Sequence, residues 1–352
     1  LSKQTDKPET DSPQPAGALD RRNFLKNAAL TAGTAGAAMA TGQAALASTD
    51  KCIEPGHGDT IQRTEAHRAF QNSPTQDFGF PAQGASLFAQ VCKQEALGAL
   101  FCCPGNYSIV SAIANAGIPT YGGRGEGPMC AAADAFIRVS GQVAAASGTE
   151  GPGFTNMICS IAAANAARTP LLVLASNLTL AHDDTEHYIQ SGYQQPMTET
   201  IRKYGKRIIG KERVHEYAGY AFRQLKTGVP GPVHLDFVEE AVGRSSTLGN
   251  ELDIASYYGK QHYRSASVSF PDPADIDTLI KLIKQAKRPM IVANMGVFYS
   301  QAWDILRQIA ERGDIPVVEA GPMRGHFSDA HPLSASTAPN AIGQVDLAIL
   351  IG

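Results

Sequence analysis

The sequence predicts an α/β protein built on parallel sheets, and three observations carry that expectation. Short apolar runs of about five residues recur at 99–103, 142–147, 171–175, 232–237 and 289–293. Stretches of helical length, rich in Ala or amphipathic, separate them, with Gly and Pro at the joints. A continuously apolar run is the mark of a strand buried on both faces, which is what helices on both sides of a parallel sheet produce. Of 352 residues, 43% are hydrophobic and 18% charged, enough for a large core and about two domains. The net charge of −3 gives no polyanion-binding surface, so no nucleic-acid partner is expected.

The elements follow in order. Residues 1–19 are polar and Pro-rich, and Asp20-Arg21-Arg22-Asn23-Phe24-Leu25-Lys26 then leads into an Ala/Gly/Thr-rich run ending Ala45-Leu46-Ala47. Paired arginines, a weakly apolar stretch and a small-x-small ending read as a twin-arginine signal over 1–47, implying export to the periplasm. The run is too weakly apolar for a membrane span, which takes about 20 strongly apolar residues. Residues 48–83 read as an extended arm. An amphipathic helix is expected over 84–97, a strand over 99–103, a helix over 107–116 and a strand over 118–121. Next come a small-residue helix at 128–139, a strand at 142–147, a helix at 154–167 and a strand at 171–175. The unit closes with a helix at 212–227 and a strand at 232–237, and a linker covers 243–271. A second α/β unit starts at 272, with helices at 273–286 and 300–312 and strands at 289–293, 315–318 and 346–351.

Side chains with metal or redox chemistry are few. The six cysteines form no Cys-x-x-Cys; Cys102, Cys103, Cys130 and Cys159 fall in core-like segments and the cysteines read as buried free thiols, with a Cys52–Cys92 disulfide as the alternative in an oxidising compartment, which the sequence does not assign. His182-Asp183-Asp184-Thr185-Glu186-His187 is the densest ligand-like cluster, but it reads as a polar solvated loop, so no metal ligands are assigned. The Gly122–Gly127 run does not fit Gly-x-Gly-x-x-Gly, and there is no Gly-x-Ser-x-Gly elbow.

One pair of motifs is specific. Glu126 stands in Gly123-Arg124-Gly125-Glu126-Gly127-Pro128, Asp134 follows eight residues on, and Gly151-Pro152-Gly153-Phe154-Thr155-Asn156 begins seventeen after that. In type and register this resembles the pyrimidine-binding domain of thiamine-diphosphate enzymes, the acetolactate synthase-like branch above all. The resemblance covers about residues 84–352 and implies a parallel-sheet pyrimidine-binding domain over 84–242, then an incomplete Rossmann-like α/β middle domain over 272–352. It implies thiamine diphosphate as cofactor, with Glu126 as the catalytic acid that shares a proton with the aminopyrimidine. A carboxyl group can share a proton in this way when a water-poor pocket raises its pKa. Pro104 and Gly105 resemble the family's turn beside the reacting centre. By the same resemblance, Thr149, Pro152 and Gly153 line the ring, Asn156 anchors the loop, and Gln194 matches a Phe-Gln segment that contacts substrate or cofactor. Thr149-Glu150 departs from the family's Thr-Ser and brings a second acid near the cofactor. The segment Val229-Pro230-Gly231-Pro232-Val233-His234-Leu235-Asp236 resembles the domain's close, a structural role.

The second unit resembles the family's middle domain in Pro289-Met290-Ile291-Val292-Ala293-Asn294-Met295-Gly296, in Met323-Arg324-Gly325-His326-Phe327 and in His331-Pro332-Leu333. The region that goes with FAD is shortened to Ser334-Ala335-Ser336-Thr337, which puts FAD in doubt. The family's Gly-Asp-Gly…Asn motif, which binds Mg²⁺ and the diphosphate, has no counterpart here, so Mg²⁺ is expected through a C-terminal domain outside this sequence. The chain ends inside an apolar strand and begins with Leu1, as expected of a piece of a longer enzyme. The resemblance implies a 2-oxo acid substrate, decarboxylated or joined to a second carbonyl compound, and a homodimer or homotetramer of the full-length protein. The alternatives are a non-catalytic binding subunit or pseudoenzyme of this fold, and a Rossmann-like nucleotide-binding protein, which the missing fingerprint disfavours.

Overall fold

The structure is a computed structural model that describes residues 81–103, 105–183, 185, 188–190, 192–249, 264, 270–322, 324–337, 340 and 343–352. The expected signal segment, Cys52, nearly all of the arm, most of the linker, and Pro104, Asp184, Glu186, His187 and Met323 lie outside the described residues.

The described chain opens with β1 (Ala82–Gln83), α1 (Gly84–Gln94), β2 (Ala99–Cys102), α2 (Tyr107–Asn115) and β3 (Thr120–Gly122). It continues through α3 (Glu126–Ser140), β4 (Ala144–Gly148), α4 (Pro152–Thr155), α5 (Ile158–Ala166) and β5 (Leu171–Asn177). After a long loop come α6 (Gln194–Met197), β6 (Tyr204–Ile208), α7 (Val214–Lys226), β7 (Val233–Val238), α8 (Glu239–Val242) and β8 (Thr247–Leu248).

Six strands form one parallel sheet in the order β3-β2-β4-β5-β7-β6. The central strand shows why its sequence is uniformly apolar. Leu172 and Leu174 join the core on one face with Phe88, Ile109, Phe222 and Leu235. Leu171, Val173 and Ala175 join the core on the other face with Ile137, Phe154 and Ile161. Alternate side chains of a strand point to opposite faces, so a strand covered on both sides must be apolar at every position. β4 divides the same way, with Ala145 on the first face and Ala144 and Ala146 on the second; its small side chains leave room for the helices.

The chain enters at β2, goes outward to β3, then crosses back to β4 on the other side. That reversal opens a crevice beyond the carboxyl ends of β2 and β4, where open α/β sheets bind ligands.

Several expectations need correction. Glu126 is not in the glycine turn but is the first residue of α3; Gly125 before it is extended, with φ −161°. A carboxylate in a first helical turn is favoured by the helix dipole. The helix expected over 154–167 starts at Pro152, whose fixed φ suits a first helical position, and is split into α4 and α5. Cys159 is exposed rather than core. β6 had no apolar run to reveal it: Tyr-Gly-Lys-Arg-Ile is a polar strand at the sheet edge. β8 pairs antiparallel with β1. Arg264 bonds Glu95, a fully buried carboxylate, at 3.1 and 3.0 Å, and Lys226 bonds it at 3.0 Å.

The second unit holds α9 (Pro273–Gln285), β9 (Pro289–Ala293), α10 (Met295–Tyr299), α11 (Trp303–Gly313), β10 (Val317–Glu319) and β11 (Leu347–Ile351). Asp272 caps α9, accepting from Ala274 N at 2.8 Å. The three strands are parallel in the order β10-β9-β11, over a core that includes Ile291, Val297, Leu306 and Phe327. The helix expected over 300–312 is α11, starting at Trp303, and the short α10 before it was not expected; Gln301 takes φ +53° between the two.

Candidate active site

The carboxyl ends of β2, β3 and β4 converge on Glu126. Cys103 N donates to Ser147 O at 3.1 Å, and Gly123 N donates to Cys102 O at 2.8 Å. Asn106, left-handed at φ +50°, is buried and donates to Ser147 Oγ at 3.2 Å. These bonds hold the loop after β2 against the end of β4, and the loop after β3 against the end of β2.

Glycines wall the carboxylate. A Cβ on Gly148 would stand 2.8 Å from Glu126 Cγ. One on Gly153 would stand 2.8 Å from Glu126 Oε1 and 2.3 Å from Thr149 Cγ2. One on Gly105, which has φ +133°, would lie 2.5 Å from Thr149 Cα. Only hydrogen at these positions leaves the backbone this close to Glu126 and Thr149.

Two side chains hold Glu126. Asn156 Nδ2 donates to its Oε2 at 3.3 Å. Beside it, Thr155 Oγ1 donates to Pro152 O at 2.7 Å. Cys103, which its segment suggested was plain core, hydrogen-bonds Glu126; burial first, then the Glu126 charge and that bond, push the thiol up. Nothing in the sequence marks this contact, because Cys103 and Glu126 come from different strand ends.

Thr149 Oγ1 donates to Glu150 Oε2 at 3.1 Å, and Ser176 Oγ donates to the same oxygen at 2.6 Å. The departure Glu150 is therefore bonded to the end of β5. Pro152 is exposed and Gly153 buried. Gln194 is 1% exposed, its amide wholly engaged by protein: Oε1 accepts from Gly151 N at 3.1 Å, and Nε2 donates to Ser176 O at 2.8 Å and Asp236 Oδ1 at 3.1 Å. Through the Gly151 N–H it ties the Gly-Pro-Gly turn to the ends of β5 and β7. Phe154 stacks on His234, with ring centroids 4.6 Å apart. His234 is fully buried, its Nδ1 2.9 Å from Thr198 Oγ1, and burial with Arg202 nearby pulls its pKa down to about 3.

In the loop after β5, Asp183 pairs with Arg207 at 2.7 Å and His182 Nδ1 lies 2.8 Å from Thr179 Oγ1. No group of three or more His, Cys, Asp or Glu arranged to hold a metal occurs among the described residues.

A parallel sheet whose switch-point crevice holds a glycine-walled glutamate defines a cofactor-binding α/β protein. The comparisons with known proteins say which kind. A family profile described as the N-terminal TPP binding domain of thiamine pyrophosphate enzymes matches residues 82–200, and one for their central domain matches 276–352. The chain belongs to the thiamine pyrophosphate enzyme family. A probable acetolactate synthase large subunit of Methanocaldococcus jannaschii is 31% identical over 237 residues, covering 63% of this chain and 38% of that one. An oxalyl-CoA decarboxylase of Escherichia coli K12 is 26% identical, covering 57% and 35%. The solved Rhodococcus jostii thiamine diphosphate-dependent 4-hydroxybenzoylformate decarboxylase superposes with TM-score 0.68 at 18% identity over 77% of this chain and 52% of that one, a likeness of fold. The chain thus spans well under half the length of these curated relatives.

Proposed function

We propose that this chain supplies the aminopyrimidine half of a thiamine-diphosphate site in an enzyme that decarboxylates a 2-oxo acid or joins the resulting fragment to a second carbonyl compound. The observation that carries the reading is the placement of Glu126: first residue of a helix, walled by Gly148 and Gly153, bonded by Asn156. The residues suit an aminopyrimidine ring in that the glycines bring backbone, with no side chain of its own, close against Glu126, and the carboxylate offers a partner for a ring nitrogen. When bound, thiamine diphosphate supplies a carbanion at its thiazolium ring and an electron sink for the fragment that attaches there.

The chain's own residues do the rest. Glu126 holds or moves a proton at the ring nitrogen facing its carboxylate. Asn156 and Cys103 fix the carboxyl group, so little freedom is lost when a proton is shared. Thr149 and Gly153 close the crevice on one side, and Gly105 lets the loop after β2 approach. Mg²⁺ and the diphosphate would be held by a domain beyond this sequence, and the working unit would be a homodimer or homotetramer. Arg21 and Arg22 support export by the twin-arginine route.

Glu126→Gln in the full-length enzyme tests the reading. An amide cannot share the ring proton, so exchange of the thiazolium C2 proton in bound cofactor, followed by NMR, should slow about 10²–10⁴-fold. The same substitution removes the charge that raises the Cys103 thiol, so alkylation of Cys103 should set in at lower pH in the cofactor-free protein. Wild-type exchange in the variant would remove Glu126 from the reaction.

A further inference from the structure

Behind the Gly-Pro-Gly turn lies a buried polar relay that the catalytic reading leaves unused. Gly151 N–H donates to Gln194 Oε1 at 3.1 Å, Gln194 Nε2 donates to Asp236 Oδ1 at 3.1 Å, and Asn177 Nδ2 donates to Asp236 Oδ2 at 3.2 Å. Gln194 and Asp236 are each 1% exposed. At the far end of the turn, Gly153 packs against Glu126 and Thr149. The relay therefore runs from Asp236, through Gln194 and the turn, to the wall of the crevice.

We propose that Asp236 is a positioning residue for this wall: its ionised carboxylate orients Gln194, Gln194 holds Gly151, and protonation of Asp236 releases the turn. Both partners of the carboxylate are amide NH₂ groups, which only donate. An ionised carboxylate accepts both. A protonated one carries its own donor on one oxygen, which then accepts only weakly, so the bond to that oxygen is weakened. Neither amide can turn to accept without loss. Flipping Asn177 breaks the bond from Leu178 N to its Oδ1, made at 2.9 Å. Flipping Gln194 turns its NH₂ toward the Gly151 N–H and its oxygen toward Ser176 O. A buried group left unpaired is costly, so the relay holds together in one protonation state and loosens in the other.

The surroundings set the range. Burial pushes the Asp236 carboxyl up to about 7, against the pull of Arg207 and the bonds from Asn177 and Gln194, with Asp183 pushing it further up. Among the described residues, the charged groups facing it are Arg207, its register partner on β6, Asp183 on the loop after β5, and Arg202 just before β6. The neighbouring positions on β5 and the facing helix α6 carry no charge. A cleft of about 80 Å³, lined by Asn177, Asp183, Tyr193, Gln194, Arg207 and Asp236 among others, gives protons access. The relay serves the site proposed above, but its test requires neither cofactor nor turnover, so the two readings can fail separately.

The test is hydrogen–deuterium exchange by mass spectrometry on the peptide 149–156, expressed as protection factors so that intrinsic pH dependence is removed. One pH unit from a midpoint changes the ionised fraction from about 90% to 50% or from 50% to 10%. Protection in the wild type should therefore fall about tenfold from pH 8 to pH 6, with a midpoint near 7. Asp236→Asn, which presents one acceptor and one donor at every pH, should show low and pH-independent protection. Gln194→Met should do the same. Arg207→Met, which removes an opposing cation, should move the midpoint upward. Flat protection in the wild type, or a wild-type profile in Asp236→Asn, would overturn the proposal. If Asp236→Asn does not fold, Arg207→Met decides: an upward midpoint supports the relay and an unmoved one overturns it.

Discussion

Gly153→Ala should damage both the fold and the site, and the two effects can be separated. The new Cβ would stand 2.3 Å from Thr149 Cγ2, 2.8 Å from Glu126 Oε1 and 3.3 Å from Glu126 Cδ. Carbons pack at about 3.5–4.0 Å, so Thr149 must move by about 1 Å or more. Overpacking of this kind costs about 1–3 kcal/mol. For a chain of this size each kcal/mol shifts the unfolding temperature by about 2–4 °C, giving a fall of roughly 2–12 °C. Glu126 must also yield, and a displacement of about 1 Å at a reacting group costs about 10²-fold in rate. Thermal unfolding reports the first effect, and C2 proton exchange in the holoenzyme the second. Adding Thr149→Ser removes the worst clash and keeps the hydroxyl, so the double variant should regain most of the lost temperature while exchange stays slow. Wild-type unfolding temperature and wild-type exchange in Gly153→Ala would refute the account of the glycine wall.

The other predictions concern pH and export. His234, pulled down to about 3, binds a proton in the unfolded chain but not the folded one between pH 3 and 6.5, so its contribution to stability falls as pH falls. Asp236, pushed up to about 7, binds a proton in the folded chain but not the unfolded one between about pH 4 and 7, so its contribution falls as pH rises. The two slopes oppose, and Asp236→Asn should unmask the histidine: between pH 4.5 and 6 the variant's unfolding free energy should climb with pH about 1.4 kcal/mol per unit more steeply than the wild type's. Equal slopes in urea titrations would contradict the assignment. Arg21→Lys with Arg22→Lys should leave the full-length protein in the cytoplasm on cell fractionation, and undiminished periplasmic protein would exclude the twin-arginine signal.

The parts of this protein that were open to reading are those where one local constraint governs each residue. Leu171 through Ala175 had to be apolar because both faces of β5 are covered, so the strand announces itself. Glu126, Asp134 and Gly151 keep fixed spacings because one helix and one strand join them, so the motif survives as a pattern along the chain. Gly153 could be singled out for the same reason. β6 could not, because an edge strand needs only backbone partners and its side chains are free to be Lys and Arg.

The sequence by itself therefore determined the α/β class and the family, and it singled out Glu126 by its spacing to Asp134 and Gly151. What it left undecided is everything that joins strand ends from distant parts of the chain. Only the folded sheet brings Cys103 onto Glu126, stacks His234 under Phe154, and places Gln194 between Gly151 and Asp236. Those partners lie some 20 to 80 residues apart in sequence and carry no periodicity. Their pairing depends on strand order, and strand order is settled by packing helices on both faces of one sheet, a property of the whole domain and not of any segment.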